Sequence, residues 1–292
     1  MNSLEHIPAP EKIGILANGL DHPEGVAWSP GEQVVYAGGE AGQIYRIDPA
    51  NPTPETIANV GGLVLGVTVD GLGRIIACVP GIGAVCVVDE RREVHQFIDS
   101  AGGRPLVTPN YSAFGPDGTL YFTDAGDYEK NNGRVVSVSP SGEVDIFSDA
   151  LNRFPNGCAV SPDGRWLWVI ESLGPTVNRF DLQKGGGPEI MLRLHGHFPD
   201  GLAFTTSGGV IVTCYRPDRI YHLDSAGRLS VVGQDPHGTI LAAPTNVCFI
   251  GPKLDLLVSA NLGRWHLTWL KVDLQGVPLF RPLEWGFDRL LV

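Results

Sequence analysis

Short apolar runs of four to six residues, separated by polar turns, recur along this chain, and no segment of helical period exceeds a turn or two. The run Gly157-Cys158-Ala159-Val160-Ser161 is apolar throughout, as expected of an inner strand buried on both faces. Pro162-Asp163-Gly164 then predicts a tight turn. Trp166–Ile170 is rich in aromatic and β-branched residues and predicts a second strand. The segments 176–180 and 189–193 complete a set of four. The same order is written after Asn110, with a turn at Gly115-Pro116-Asp117-Gly118 and strands near 120–123, 134–138 and 144–147. It is written again after Glu24, with strands near 34–36 and 43–47.

Each set begins at a polar anchor. The anchors are Glu24, Gly66, Asn110, Asn156, Asp200 and Asn246, spaced by 42, 44, 46, 44 and 46 residues. A repeat of roughly 40–50 residues built from short strands marks a β-propeller. Six units of four strands predict an all-β, six-bladed propeller around a central tunnel, a single domain over residues 1–292. Ring closure has two candidates for the missing outer strand: residues 12–17 near the start and Val277-Pro278-Leu279-Phe280 near the end.

Composition narrows the function. A formal net charge of −11 with no basic run disfavours nucleic acid and anionic membranes as partners. No stretch approaches 18 apolar residues, so no spanning helix is expected. Residues 1–11 have neither a basic nor an apolar core region, so no signal peptide is expected. The five cysteines, Cys78, Cys86, Cys158, Cys214 and Cys248, fall inside strand-like runs with no CxxC pair. Buried free thiols in a reducing cytoplasm are the expectation.

Matched positions of a propeller face one axis, so Glu24, Asn110, Asn156 and Asp200 are expected to converge. Two carboxylates and two amide oxygens form a hard, all-oxygen set suited to Ca²⁺, with Mg²⁺ or Mn²⁺ next. No His or Cys occupies an anchor, which places Zn²⁺ last. Asn-Gly and Asp-Gly are ordinary turn dipeptides, but a turn does not explain Glu24 or the matched positions. Gly66 leaves the ring incomplete. Asp124 and Asp127 read as turn caps, His195 and His197 as loop histidines, and Trp265 and His266 as core packing. Ser112 lies in no nucleophile-elbow motif, so serine hydrolysis is disfavoured.

The ordered motifs resemble the senescence marker protein/gluconolactonase/luciferin-regenerating enzyme family of six-bladed propellers. They are His22-Pro23-Glu24-Gly25, Pro109-Asn110, Tyr121-Phe122-Thr123-Asp124, the run from Phe154 to Gly164, and Phe198-Pro199-Asp200-Gly201. The resemblance implies a divalent metal, usually calcium, on Glu24, Asn110, Asn156 and Asp200, and a lactonase activity for a small-molecule lactone or ester. In the family pattern Arg and Asp often stand where this chain has Thr108 and Tyr111. That departure implies a less polar substrate than a sugar lactone, held by Tyr111 and Asn110, with Asp200 or Glu24 as general base. A metal-dependent phosphotriesterase, a strictosidine-synthase-like condensing enzyme and a non-catalytic binding propeller are the alternatives.

Overall fold

The computed structural model describes residues 12–289. Residues 1–11, on which the expectation about a signal peptide rests, lie outside them. The first strand, β1 (Ile13–Asn18), precedes five four-stranded blades and a sixth blade of three consecutive strands. Blade 1 holds β2 (Val26–Ser29), β3 (Val34–Gly38), β4 (Gln43–Asp48) and β5 (Asn51–Asn59). Blade 2 holds β6 (Val67–Val69), β7 (Ile75–Val79), β8 (Ala84–Val88) and β9 (Val94–Ile98). A two-stranded hairpin, β10 (Ser100–Ala101) and β11 (Arg104–Pro105), follows. Blade 3 holds β12 (Pro109–Phe114), β13 (Leu120–Asp124), β14 (Arg134–Val138) and β15 (Val144–Ser148). Blade 4 holds β16 (Pro155–Val160), β17 (Trp166–Glu171), β18 (Thr176–Asp181) and β19 (Glu189–Arg193). Blade 5 holds β20 (Phe198–Phe204), β21 (Val210–Arg216), β22 (Arg219–Leu223) and β23 (Leu229–Gln234). Blade 6 holds β24 (Pro244–Ile250), β25 (Leu256–Asn261) and β26 (His266–Leu270).

β1 is the fourth strand of blade 6. It pairs antiparallel with β26, with Ile13 opposite Leu270 and Asn18 opposite His266. The start of the chain therefore closes the ring, and the end does not. Among the described residues no helix is long and apolar enough to cross a membrane.

The apolar runs of the sequence now have a cause. Each sheet is sandwiched between two others, so alternate side chains of one strand fill two different layers. In β3, Val34 and Tyr36 pack toward blade 2 while Val35 and Ala37 pack toward blade 6. All five residues of that strand are buried, as in a sheet covered on both faces. The five cysteines lie in these layers as buried free thiols. Asp163 and Gly164 turn the chain between β16 and β17, with Gly164 at φ 70°, a conformation that suits glycine.

The chain after β26 runs across the face that carries the hairpins between first and second strands. Gly276 bridges Thr205 in blade 5. The Nη2 of Arg281 donates to the Trp28 carbonyl in blade 1 at 2.6 Å. The Gly71 N–H in blade 2 donates to the Pro282 carbonyl at 2.9 Å. Trp285 and Phe287 then enter the layer between blades 2 and 3. Trp285 donates from Nε1 to Asp70, which also holds Arg74, and Arg74 reaches on to Asp288. The segment Val277-Pro278-Leu279-Phe280 thus lies across one end of the tunnel as a strap.

Candidate metal centre on the propeller axis

The inner strands meet the axis through a repeated irregularity. In β12, β16, β20 and β24 the pairing with the second strand skips two residues just after the leading proline. The skipped residues are Asn110-Tyr111, Asn156-Gly157, Asp200-Gly201 and Thr245-Asn246. A β-bulge re-aims the side chain it carries, and here each bulge holds an anchor. The approach is tight as well. His22 and Phe154, each two residues before an anchor, have φ of 41° and 62°, a region non-glycine residues seldom adopt.

Glycines allow the six inner-strand entries to close on one another. A Cβ on Gly25 would lie 2.2 Å from the Leu65 carbonyl oxygen, and one on Gly157 2.5 Å from that of Asp200. A Cβ on Gly201 would meet the Thr245 carbonyl oxygen at 2.7 Å. Hydroxyls tie the same backbone together. Thr123 Oγ1 donates to the Asn156 carbonyl at 2.8 Å, Ser172 Oγ to the Pro199 carbonyl at 2.6 Å, and Thr245 Oγ1 to the Glu24 carbonyl at 2.7 Å. Thr213 Oγ1 donates to the Thr245 carbonyl.

Glu24, Asn110, Asn156 and Asp200 are all buried at this narrowing. Burial raises the Glu24 carboxyl well above the usual range, and the charge of Asp200 raises it further, against a hydrogen bond from Asn246. Burial pushes Asp200 up to about 7, against the opposing pull of the Asn156 amide. The two carboxylates are therefore close and desolvated. The oxygens tell the same story: Oδ1 of Asn110, Asn156, Asp200 and Asn246 is in each case buried and without a hydrogen-bond partner. Buried polar atoms are normally satisfied. Three orphaned amide oxygens and one orphaned carboxylate oxygen of Asp200, with the Glu24 carboxylate crowded beside it, form a donor set that fits a hard divalent cation.

Asn246 is the residue that sequence reasoning left out of the set. By residue count it is the sixth anchor, although the strand register puts Thr245 in line with Asn110, Asn156 and Asp200 and Asn246 one residue on; its Nδ2 donates to Glu24 Oε2 at 3.1 Å, and its Oδ1 faces no donor. The repeat itself carried that signal. Gly66 also finds an explanation. A Cβ there would lie 2.4 Å from the Asn110 carbonyl oxygen and 2.8 Å from Cδ2 of Tyr111. Gly66 is glycine because the Asn110 carbonyl, with the backbone and ring of Tyr111, occupies the place of a side chain. Tyr111 lines a cavity that continues along the axis past the anchors toward the strap, not the open mouth. Burial raises its phenol far above the usual range.

The mouth on the anchor side is aromatic. Tyr128, in the loop between β13 and β14, meets Phe154 edge-on at 5.6 Å and stacks on Phe198 at 6.4 Å. Trp265, half exposed at 52 %, lies 5.3 Å from the His22 ring. Core packing therefore holds for His266, whose Nε2 lies 2.9 Å from the Ile240 carbonyl, and not for Trp265. Asp124 is a structural cap, accepting the N–H groups of Val107 and Thr108 and pairing with Arg134 at 3.0 Å. Asp127 pairs with Lys130 on the surface. His197 bonds the Tyr221 hydroxyl at 2.8 Å.

Comparison with known proteins agrees with this architecture. The chain is 28 % identical over 216 residues to a gluconolactonase of Zymomonas mobilis, covering 68 % of this chain and 55 % of that protein. It is 25 % identical over 205 residues to strictosidine synthase-like protein 4 of Arabidopsis thaliana, covering 65 % and 55 %. The chain thus spans little more than half the length of these curated relatives. A solved structure of the calcium-binding protein regucalcin from Agrobacterium tumefaciens superposes with a TM-score of 0.70 at 16 % identity, over 92 % of this chain and 97 % of that one. That likeness concerns the fold. The sequence profile of the SMP-30/Gluconolactonase/LRE-like region matches residues 22–260. With six blades and converging anchors in place, this chain is a member of the SMP-30/gluconolactonase/LRE-like family.

Proposed function

We propose that this chain is a divalent-metal-dependent hydrolase that opens a lactone ring. The observation that carries the reading is the buried cage in which Glu24 and Asp200 crowd together, with an oxygen of Asp200 and the amide oxygens of Asn110, Asn156 and Asn246 all lacking hydrogen-bond donors. Glu24, Asn110, Asn156 and Asp200 hold the ion, calcium fitting best, and Asn246 holds Glu24 in position. The gluconolactonase relative supports lactone hydrolysis. The regucalcin likeness is in keeping with calcium. A metal-independent condensing reaction, in line with the strictosidine synthase-like relative, leaves the orphaned oxygens without a use.

When bound, a divalent ion supplies Lewis acidity toward an ester carbonyl. The protein's own residues do the rest. Asp200, or Glu24 beside it, accepts the proton of the attacking water. Asn110 orients the ring from the cage, while Tyr111, expected to hold the substrate, turns to the strap side instead. Tyr128, Phe154 and Phe198 offer aromatic faces to the substrate body. This lining, with Thr108 and Tyr111 where the family pattern often has Arg and Asp, favours lactones with apolar or aryl substituents over polyhydroxylated ones.

The test is elemental analysis of dialysed wild type and Asp200→Ala, with a pH-indicator assay on a panel of aryl, alkyl and sugar lactones. About one divalent ion per chain, lost together with lactone turnover in the variant, is expected. A wild type that retains no ion and opens no lactone after Ca²⁺, Mg²⁺ or Mn²⁺ is added would sink the reading.

A further inference from the structure

Beyond the anchors the tunnel widens into a cavity of about 260 Å³, bounded at its far end by the strap. The inner strands line it with Val26, Val67, Ala113 and Ala203, and the strap with Leu279 and Phe280. One charged side chain stands in this apolar wall: Arg281. Its Nη2 donates to the Trp28 carbonyl, and its Nε is buried with no partner. Among the described residues no carboxylate pairs with it, and the titratable groups that face it are the neutral Cys248 thiol and Tyr111 phenol. Every other arginine in the interior is neutralised. Arg74 is held by Asp70 and Asp288, and Arg134 by Asp124.

A guanidinium stays charged at any pH a protein tolerates, and sheltering it without an anion is costly. Its planar fork matches a carboxylate. We infer that the strap-side cavity is a binding site for a small amphipathic monocarboxylate, its head on Arg281 and its apolar body among the inner strands. The volume lies just below the range of drug-sized ligand pockets and suits a small body of about six to ten carbons. This site stands on its own residues and does not depend on the activity of the anchor cage.

Titration calorimetry with benzoate and octanoate, on protein dialysed against a chelator, tests it. Chelation removes the alternative in which the carboxylate binds a metal in the cage. Both acids are expected to bind and to raise the melting temperature. Benzamide, which lacks the charge, and acetate, which lacks the apolar body, are expected to bind at least about tenfold more weakly. Arg281→Gln is expected to weaken octanoate by a similar factor while melting cooperatively. Ala113→Leu, which keeps the arginine and fills the cavity, is expected to exclude octanoate. Equal affinity of wild type and Arg281→Gln, undiminished binding to Ala113→Leu, or no heat from either acid up to about 10 mM overturns the assignment.

Discussion

Glu24 and Asp200 share one desolvated space, and this ties the stability of the metal-free protein to pH. Both carboxyls titrate above their ordinary range in the folded chain, so the fold holds protons that the unfolded chain releases. The stabilisation is complete below the ordinary carboxylate range, near pH 4, and is lost as pH rises through about 7, where Asp200 titrates. Chelator-treated protein is therefore expected to melt at a lower temperature at pH 8 than at pH 5, with excess Ca²⁺ restoring the pH 8 value. A melting temperature that is flat or rises over that window contradicts the cage. Gly66 gives a second prediction at this scale. Its missing side chain accommodates backbone, and backbone yields little. Gly66→Ala is expected to cost about 1–3 kcal/mol in chemical denaturation, and to weaken metal binding by displacing Asn110.

At the scale of the strand, the cage is made by four bulges and the hydroxyls that tie them. Ser172 follows β17, accepts from Asn156 Nδ2 at 3.2 Å and donates to the Pro199 carbonyl. Ser172→Ala leaves both groups buried without partners. A loss of about 1–3 kcal/mol in chemical denaturation is expected, together with weaker metal retention, because Asn156 and Asp200 sit on those two groups. Many inner strands were legible in the sequence, since two-sided burial writes them as apolar runs, whereas outer strands such as β5 are polar and largely exposed. The anchors were legible because a repeat places like residues alike. The bulges were not: an extra residue between strands leaves no mark in periodicity, and only pairing reveals it. Nor was the apolar side of Tyr111, which depends on the space left by a glycine 45 residues away in the chain. The choice between the two candidate closing strands was equally hidden, because both runs are apolar and only the geometry of blade 6 selects one.

Across the whole molecule, the strap and the first strand do different jobs at the chain's two ends. The strap pins blades 1, 2, 3 and 5 from one face, and its anchor is Trp285, buried at 1 % exposure with its indole N–H on Asp70. Trp285→Ala is expected to destabilise by about 3–5 kcal/mol in chemical denaturation. It is also expected to open the strap-side cavity, while the anchor cage, at the opposite end of the inner strands, keeps its metal. Loss of metal in that variant as large as in Asp200→Ala would show that the two ends of the tunnel are not separable.

The pairing of β1 with β26 has a consequence during synthesis. β1 leaves the ribosome first, but its partner follows about 250 residues later, roughly 12 to 50 seconds at ordinary elongation rates. Five blades can collapse in that interval while the first strand waits with no sheet to join. Its edge is the last to be zipped, and the nascent chain must keep six residues idle and unaggregated until the ring has somewhere to put them.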